Sequence, residues 1–535
     1  MRHGNQIGQN QLFKSMLSFF LIMELLLAAA ARPVRAESPD SAPRTRYEME
    51  LVLDDEQAAL RGNVKVTVYN DSEDTWNELC FRDYMASVQK LDERDGSVLT
   101  RIAREAARRV EDLAERRARR SLNILRATQS GKKLDMRAEG RDQSVVYLWL
   151  EEPLKPGEST EVVLECEAKI PKGHYRCAYE ALDYENTAAR TYELAQFYPM
   201  LAVYEDGQWR TDEYITDGEC MYSRVADYAV TFHAPEGFAV IASGNETRGE
   251  TADGMTEWTI EAEAMRDVTI IASNEYAEPL TGEACGVTIN SYYAMNQEKY
   301  NAGKDEDDGH AWQGAHTLQA AMDAVEAFTE CYGPYPYDGL DIVESNYEYG
   351  GMEAPGLVRI SQMYSWSFDD PEYQDKCAAT TAHEVAHEWF YGVVGNDQFN
   401  EAWLDESFAA FSEQVYWRHM GRSETEIAAA MKPFIEEVPY SGVLYVDRAY
   451  SDLNNEYYCE YTSAVYRRGA GFLYQLEQSV GRETFYDFMR TYYAAFSFRE
   501  AHTEDFVRTL LPFIEKNEAA KALVSKYLSR SQGLL

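Results

Sequence analysis

His383-Glu384-Val385-Ala386-His387, with Glu406 nineteen positions further on, is the stretch whose reading decides the rest. Four residues apart on a helix, His383 and His387 project from one face, one turn from each other, and can reach the same metal ion. Glu384 lies beside them, close to the metal but angled away from direct ligation. Two imidazoles and a later carboxylate supply three ligands and leave a fourth position for water, the pattern of a catalytic zinc site.

Alone, the five-residue motif also fits an amphipathic helix whose histidines happen to fall one turn apart. The flanks argue against that reading. Ala378-Ala379-Thr380-Thr381-Ala382 and Trp389-Phe390-Tyr391 make one apolar, helix-forming segment with the motif inside it. Buried imidazoles and a carboxylate need a partner, and a metal is one. The run 403–411 reads as a second apolar helix that carries Glu406 inward. The expectation is one Zn2+ per chain on His383, His387 and Glu406, acting as a Lewis acid on a water, with Glu384 as general base and proton carrier.

Three further marks stand in order around this core. Gly350-Gly351-Met352-Glu353 ends thirty residues before His383, Tyr466-Arg467-Arg468-Gly469-Ala470 begins sixty residues after Glu406, and Tyr332-Gly333-Pro334-Tyr335-Pro336-Tyr337 comes first. Together they resemble the aminopeptidase N family of gluzincin metallopeptidases, whose pattern is G-x-M-E-N, H-E-x-x-H, eighteen residues, the Glu of W-L-N-E-G, and Y-x-K-G-A. The resemblance implies that Tyr466 donates a hydrogen bond to the oxyanion formed during hydrolysis. It implies that Glu353 accepts the substrate's free α-ammonium, while Gly350 and Gly351 let the substrate backbone approach closely. Gln196 is the candidate that the N-terminal half would contribute to the same amine pocket. The chain departs from the family at Ala354, where the family has Asn, and at Asp405 and Ser407, where it has Asn and Gly. Ala354 bears on substrate specificity, since it removes an amide from the amine-binding motif. Neither of the other two changes removes a ligand.

The 535 residues carry 51 basic and 91 acidic side chains, a net charge of −40, which excludes nucleic acid and anionic lipid as partners through bulk electrostatics. Peptides are the expected partners. Arg2, His3 and Lys14 precede an apolar run over 16–31, and Val34-Arg35-Ala36 offers a small-x-small cleavage site, so 1–36 reads as a signal peptide and the protein as exported. Membrane contact is expected only if that segment is retained as an anchor. The eight cysteines show no C-x-x-C pair, and the one disulfide worth considering is Cys166 with Cys177.

Alternating apolar positions at Tyr47, Met49, Leu51 and Leu53, and at Val64, Val66 and Val68, mark the first half as β. From about residue 311 long helical patterns take over, beginning with 311–331. The fold expected is multidomain α+β: an antiparallel β-sandwich or saddle over 37–276, then a mostly helical, thermolysin-like catalytic domain over 277–535. Residues 101–126 carry nine arginines, and Ile102, Ala106, Val110 and Leu113 keep helical spacing among them, so the segment reads as a basic helical insertion, while 304–308 reads as an acidic loop. The chain ends about seventy residues after Tyr466, which leaves no room for the family's large C-terminal helical domain and implies a short, bacterial-type member with an open site. An exported aminopeptidase is the leading reading. A zinc endopeptidase, an epoxide-hydrolase-like enzyme and a non-catalytic peptide-binding relative are the alternatives.

Overall fold

The computed structural model describes residues 43–535 apart from 88–121, 141–142, 174–175, 185–186, 213–217, 220, 277, 295–308, 348 and 455–459. The alternation seen in the first half produces a β region of three principal sheets. The largest has eight strands, with Arg46–Asp54 at its centre, antiparallel to Ala59–Tyr69 and parallel to Ala226–Pro235. Tyr47, Met49, Leu51 and Leu53 all face inward, as the period of two requires. Two four-stranded sheets complete the region, one of them placing Thr187–Leu194 between Cys177–Tyr184 and Ile270–Ser273.

The second region begins with a five-stranded sheet in the order Leu280–Ala284, Val287–Tyr292, Gly339–Ser345, Leu357–Ser361, Gly351–Met352. Its central pairs are parallel, and the two-residue strand Gly351–Met352 lies antiparallel on the edge. Helices follow: α1 (Gly309–Tyr332), α2 (Pro371–Ala386), α3 (Trp403–His419), α4 (Glu424–Glu436), α5 (Gly469–Val480), α6 (Arg482–Phe496), α7 (Thr503–Ile514) and α8 (Glu518–Tyr527). Asp370 starts α2 by accepting from the Glu372 N–H, with Pro371 in the first turn where its missing donor costs nothing. α3 is buried over most of its surface and runs through the helical layer. Trp403 packs edge-on to Phe506 at 5.0 Å, and Phe408 lies 4.7 Å from Phe390. Trp403 is fully buried, and truncating such a side chain to Ala costs about 3–5 kcal/mol.

The two regions are pinned by Arg266, which projects from the β half. Its five donors bond the carbonyls of Tyr391 (2.6 Å), Ser223 (2.8 Å), Val393 (3.1 Å) and Arg499 (2.8 Å) and the Glu500 carboxylate (2.8 Å). The guanidinium lies flat against Gly395, where a Cβ would fall 2.0 Å from its central carbon.

Some expectations change. Cys166 and Cys177 are both buried free thiols, with no disulfide between them. Of the arginine-rich segment, 101–121 lies outside the described residues, but Leu122–Gln129 is a strand, not helix, because its backbone pairs with Ser159–Lys169 in the large sheet. Trp389-Phe390-Tyr391 is not helical either: α2 ends at Ala386, His387 caps it, and the chain turns there. The expected signal peptide and the acidic loop 304–308 lie outside the described residues. Among the described residues no helix is long and apolar enough to cross a membrane.

Candidate active site

α2 and α3 cross so that His383, His387 and Glu406 each bring one ligand atom within 4.8 Å of the others. Glu406 Oε2 lies 3.2 Å from His383 Nε2 and 3.7 Å from His387 Nε2. His387 keeps right-handed helical backbone although the regular helix stops one residue earlier, so the one-turn spacing survives.

The opposite ring nitrogens are already engaged. His383 Nδ1 lies 3.0 Å from Glu413 Oε1, and His387 Nδ1 lies 3.1 Å from the Phe390 carbonyl and 3.3 Å from Asp405 Oδ1. With the Nδ1 hydrogens donated to Glu413 and to the Phe390 carbonyl, both Nε2 lone pairs point at a carboxylate oxygen, acceptor against acceptor. That arrangement calls for a cation. Zinc bonded at about 2.0–2.1 Å in a tetrahedron sets ligand atoms about 3.3–3.4 Å apart, close to the two separations observed. The donor set therefore fits zinc, with Glu413 and the Phe390 carbonyl orienting the imidazoles.

Burial and neighbouring charges shift the titration of these groups in opposite directions. Burial would depress the His383 imidazole, but its bonds to Glu406 and Glu413 outweigh this and hold its pKa well above the usual value. Burial pushes His387 down to about 4. Burial, reinforced by the nearby carboxylates of Glu406 and Glu219 and opposed by His383, brings Glu384 up to about 8. Asp405, fully buried, is pushed well up by burial and by Glu406. Asp405 stands where the family has Asn, a side chain of nearly the same shape, and its Oδ2 accepts from Gln398 at 2.6 Å.

The other expected residues converge to different degrees. Glu384 and Glu353 share a second cluster with His387, again within 4.8 Å, which puts the base and the amine-recognising carboxylate at one cleft. Gly351 matters for a reason additional to substrate approach: its missing Cβ leaves the space that the Glu384 carboxylate fills. Gly350 holds the end of the edge strand, its carbonyl accepting from the Ser361 N–H at 3.0 Å. Tyr466 sits on a π-helical turn, Ser463–Arg468, that leads into α5, and its hydroxyl donates to Glu406 Oε1 at 2.5 Å. Such turns insert a residue into the helical ladder and re-aim side chains, here toward the ligand cluster. Burial keeps the Tyr466 phenol well above its usual pKa, so it stays a donor. Gly469 fits beneath it because the Ser407 hydroxyl, which donates to the Val465 carbonyl, occupies the space of a Cβ.

Gln196 is buried in left-handed backbone, φ 55°, with its amide on Met221 Sδ at 3.1 Å. Met221 in turn donates its N–H to Gln398. Gln196 thus stands behind the site through Met221, Gln398 and Asp405. What the β half brings to the Glu353 side includes a residue not singled out from sequence, Glu219, paired with Arg176 at 2.5 Å. The Glu219 N–H donates to the Tyr461 hydroxyl, and the Tyr461 ring packs against Tyr466. Burial and the charge of Glu219 push the Glu353 carboxyl well up, and Arg176 opposes this. Glu413, Asp405, Arg359 and Glu388 were also missed. Glu388 accepts from the Gly356 N–H with both oxygens at 3.1 Å and so braces the turn after Glu353. For Glu413 a signal existed: it is seven residues past Glu406, on the same face of α3.

A β-rich half is followed by a mixed sheet edged by Gly351–Met352 and by a His-His-Glu cluster between two buried helices whose donor set suits zinc. Residues 316–527 match the model of the Peptidase family M1 domain. Aminopeptidase N of Streptomyces lividans is 31% identical over 198 residues, 35% of this chain and 22% of that protein. Aminopeptidase M1-B of Oryza sativa subsp. japonica is 25% identical over 237 residues, 42% of this chain and 26% of that protein. The chain thus spans about a quarter of the length of these curated relatives. Nearly the whole chain follows the fold of an M1 zinc metallopeptidase from Deinococcus radiodurans, with a TM-score of 0.60 at 17% identity over 91% of this chain and 94% of that one. The same fold was solved bound to a Tyr-Ser-Ala substrate, with a TM-score of 0.59 at 16% identity over 91% and 94% of the two chains.

Proposed function

We propose that this chain is an exported zinc aminopeptidase that removes N-terminal residues from peptides. The observation that carries the reading is the convergence of Glu353, Glu384 and His387 within 4.8 Å, a half-buried carboxylate placed for an ammonium beside a buried general base. Zinc on His383 Nε2, His387 Nε2 and Glu406 would supply Lewis acidity. Glu353 accepts the α-ammonium and fixes the scissile bond one residue from the N-terminus. Glu384, held against Gly351, takes a proton from the attacking water and delivers it to the leaving amine. The Tyr466 hydroxyl turns from Glu406 to donate to the developing oxyanion, a contact made in the transition state and therefore one that raises kcat.

The test is a panel of free and N-acetylated aminoacyl amides, with Glu384→Gln and a chelated sample as controls. Hydrolysis confined to free-amine members, lost with the substitution and on chelation and restored by zinc, is the expected result. Equal cleavage of acetylated substrates would replace this reading with an endopeptidase. Zinc binding without hydrolysis of any peptide would leave a non-catalytic binder or an epoxide-directed relative. Export rests on the basic and apolar pattern of 1–36. Sequencing the N-terminus of protein recovered outside the cell should begin near residue 37, and an intact Met1 on an intracellular product would overturn it.

A further inference from the structure

We infer that the Arg176–Glu219 ion pair sets the charge preference for the substrate's first side chain, disfavouring Lys and Arg there. The inference rests on the aminopeptidase reading above and deepens it. Two carboxylates, Glu353 and Glu219, approach the ammonium end of the cleft from opposite halves of the protein. The position of Glu219 is given by its backbone: its N–H lies 3.0 Å from Tyr461 Oη, and Gly218 is pressed so close to that ring that a Cβ would fall 2.9 Å from it. Tyr461 packs edge-on against Tyr466, with ring centroids 6.3 Å apart. The position of Arg176 is given by its carbonyl, which accepts from Arg359 Nη1 at 3.2 Å. Arg359 is the cross-strand neighbour of Met352, the residue before Glu353. The pair therefore spans from the Tyr466 side of the cleft to the Glu353 edge.

Arg176 Nη2 lies 2.5 Å from both Glu219 oxygens, with 16% and 8% of the two side chains exposed. Glu219 is thus neutralised where it stands, and the other cation nearby, Arg359, is bound to Glu193 at 2.7 Å. One carboxylate, Glu353, is left to meet one ammonium. A substrate whose first side chain is Lys or Arg carries a second cation into a site whose remaining partner is already taken by a guanidinium. In a partly buried site, one uncompensated charge is worth on the order of tenfold to a hundredfold in relative rate. Neutral and acidic first residues escape this penalty. The pair also explains why the β half presents Glu, not a neutral amide, at this position: the cation beside it restores neutrality.

The experiment compares kcat/KM for Lys-, Leu- and Glu-amide substrates in the wild type, Arg176→Met, Glu219→Gln and the double variant, each loaded with zinc. Arg176→Met, which releases Glu219, should raise the Lys-to-Leu ratio by about tenfold or more. Glu219→Gln, which releases Arg176, should lower that ratio and raise Glu-to-Leu. The double variant, neutral again, should return to within about threefold of the wild type. A protein merely loosened by these changes would lose rate on all three substrates alike. Should Arg176→Met not fold, Glu219→Gln and the double variant still decide the matter. Ratios within about threefold of the wild type in every variant that folds would overturn the inference while leaving the aminopeptidase reading intact. A wild type with no free-amine selectivity overturns the aminopeptidase reading itself, and this inference with it.

Discussion

The Glu384 carboxylate lies in the space that a side chain on Gly351 would occupy, its Oε1 2.5 Å from where a Cβ would stand. The obstructing group is the mobile end of a side chain, so Gly351→Ala can be accommodated by swinging Glu384 aside. Folding should survive and catalysis should not. A base displaced by about 1 Å loses on the order of a hundredfold in rate. The expected outcome is a fall in kcat/KM of that size with the thermal midpoint nearly unchanged; a large drop in midpoint with normal activity per folded molecule would refute the placement.

Tyr466 donates to Glu406 in the resting site but is aimed at the reaction centre. Tyr466→Phe keeps the ring that stacks 6.0 Å from His383 and removes only the hydroxyl. kcat should fall by about a hundredfold to a thousandfold, KM should change little, and zinc should stay bound. Loss of zinc from this variant would mean that the hydroxyl supports Glu406, not the transition state.

Glu413 is not one of the proposed ligands, yet its Oε1 lies 3.0 Å from Nδ1 of the ligand candidate His383. Removing such a partner typically weakens a metal by about tenfold to a hundredfold. Glu413→Ala should therefore raise the zinc dissociation constant by that factor in a chelator competition, and activity should recover at saturating zinc. An unchanged constant would show that Glu413 does not orient the imidazole.

His502 bridges the two halves away from the site, lying 2.9 Å from Glu205 and 2.7 Å from Glu401. Those bonds raise its pKa from 6.5 to about 10 against the opposing effect of burial. The bond to His502, with help from Arg210, lowers Glu205 from 4.5 to about 2. A raised histidine contributes stability that is complete below its unfolded pKa and is lost as pH rises through the folded one. A lowered carboxylate contributes stability present above its unfolded pKa and lost as pH falls through the folded one. The bridge should thus be at full strength between about pH 4.5 and 6.5 and fade toward pH 10. In thermal unfolding, the deficit of His502→Gln relative to the wild type should shrink steadily from pH 6.5 to 10. A deficit independent of pH would mean that the bridge is not ionic.

The zinc-ligand candidates were legible because helical periodicity is local: His383 and His387 align at any i,i+4 spacing, even where α2 ends between them. Tyr466 needed its glycine context, since nothing about one of 38 tyrosines distinguishes it. Gln196 was chosen from its neighbourhood, but its amide is on Met221, while Glu219 lies beside Tyr461 and Tyr466. No short-range pattern marks Glu219, whose partner Arg176 is 43 residues away. The arginine-rich stretch failed differently. The helical spacing of Ile102 to Leu113 suggests a helix as far as residue 126, but pairing with Ser159–Lys169 satisfies the backbone from Leu122 onward, and a sheet partner overrides local propensity.

By itself the sequence determined the candidate metal ligands, the candidate base and the division into a β half and a helical half, because these follow from spacing, alternation and residue chemistry along the chain. Only the tertiary structure decided what surrounds them: Glu384 against Gly351, Asp405 and Glu413 behind the imidazoles, and the Arg176–Glu219 pair beside Glu353. Those relationships join segments tens to hundreds of residues apart, and it is packing that brings their side chains together and burial that sets their charges.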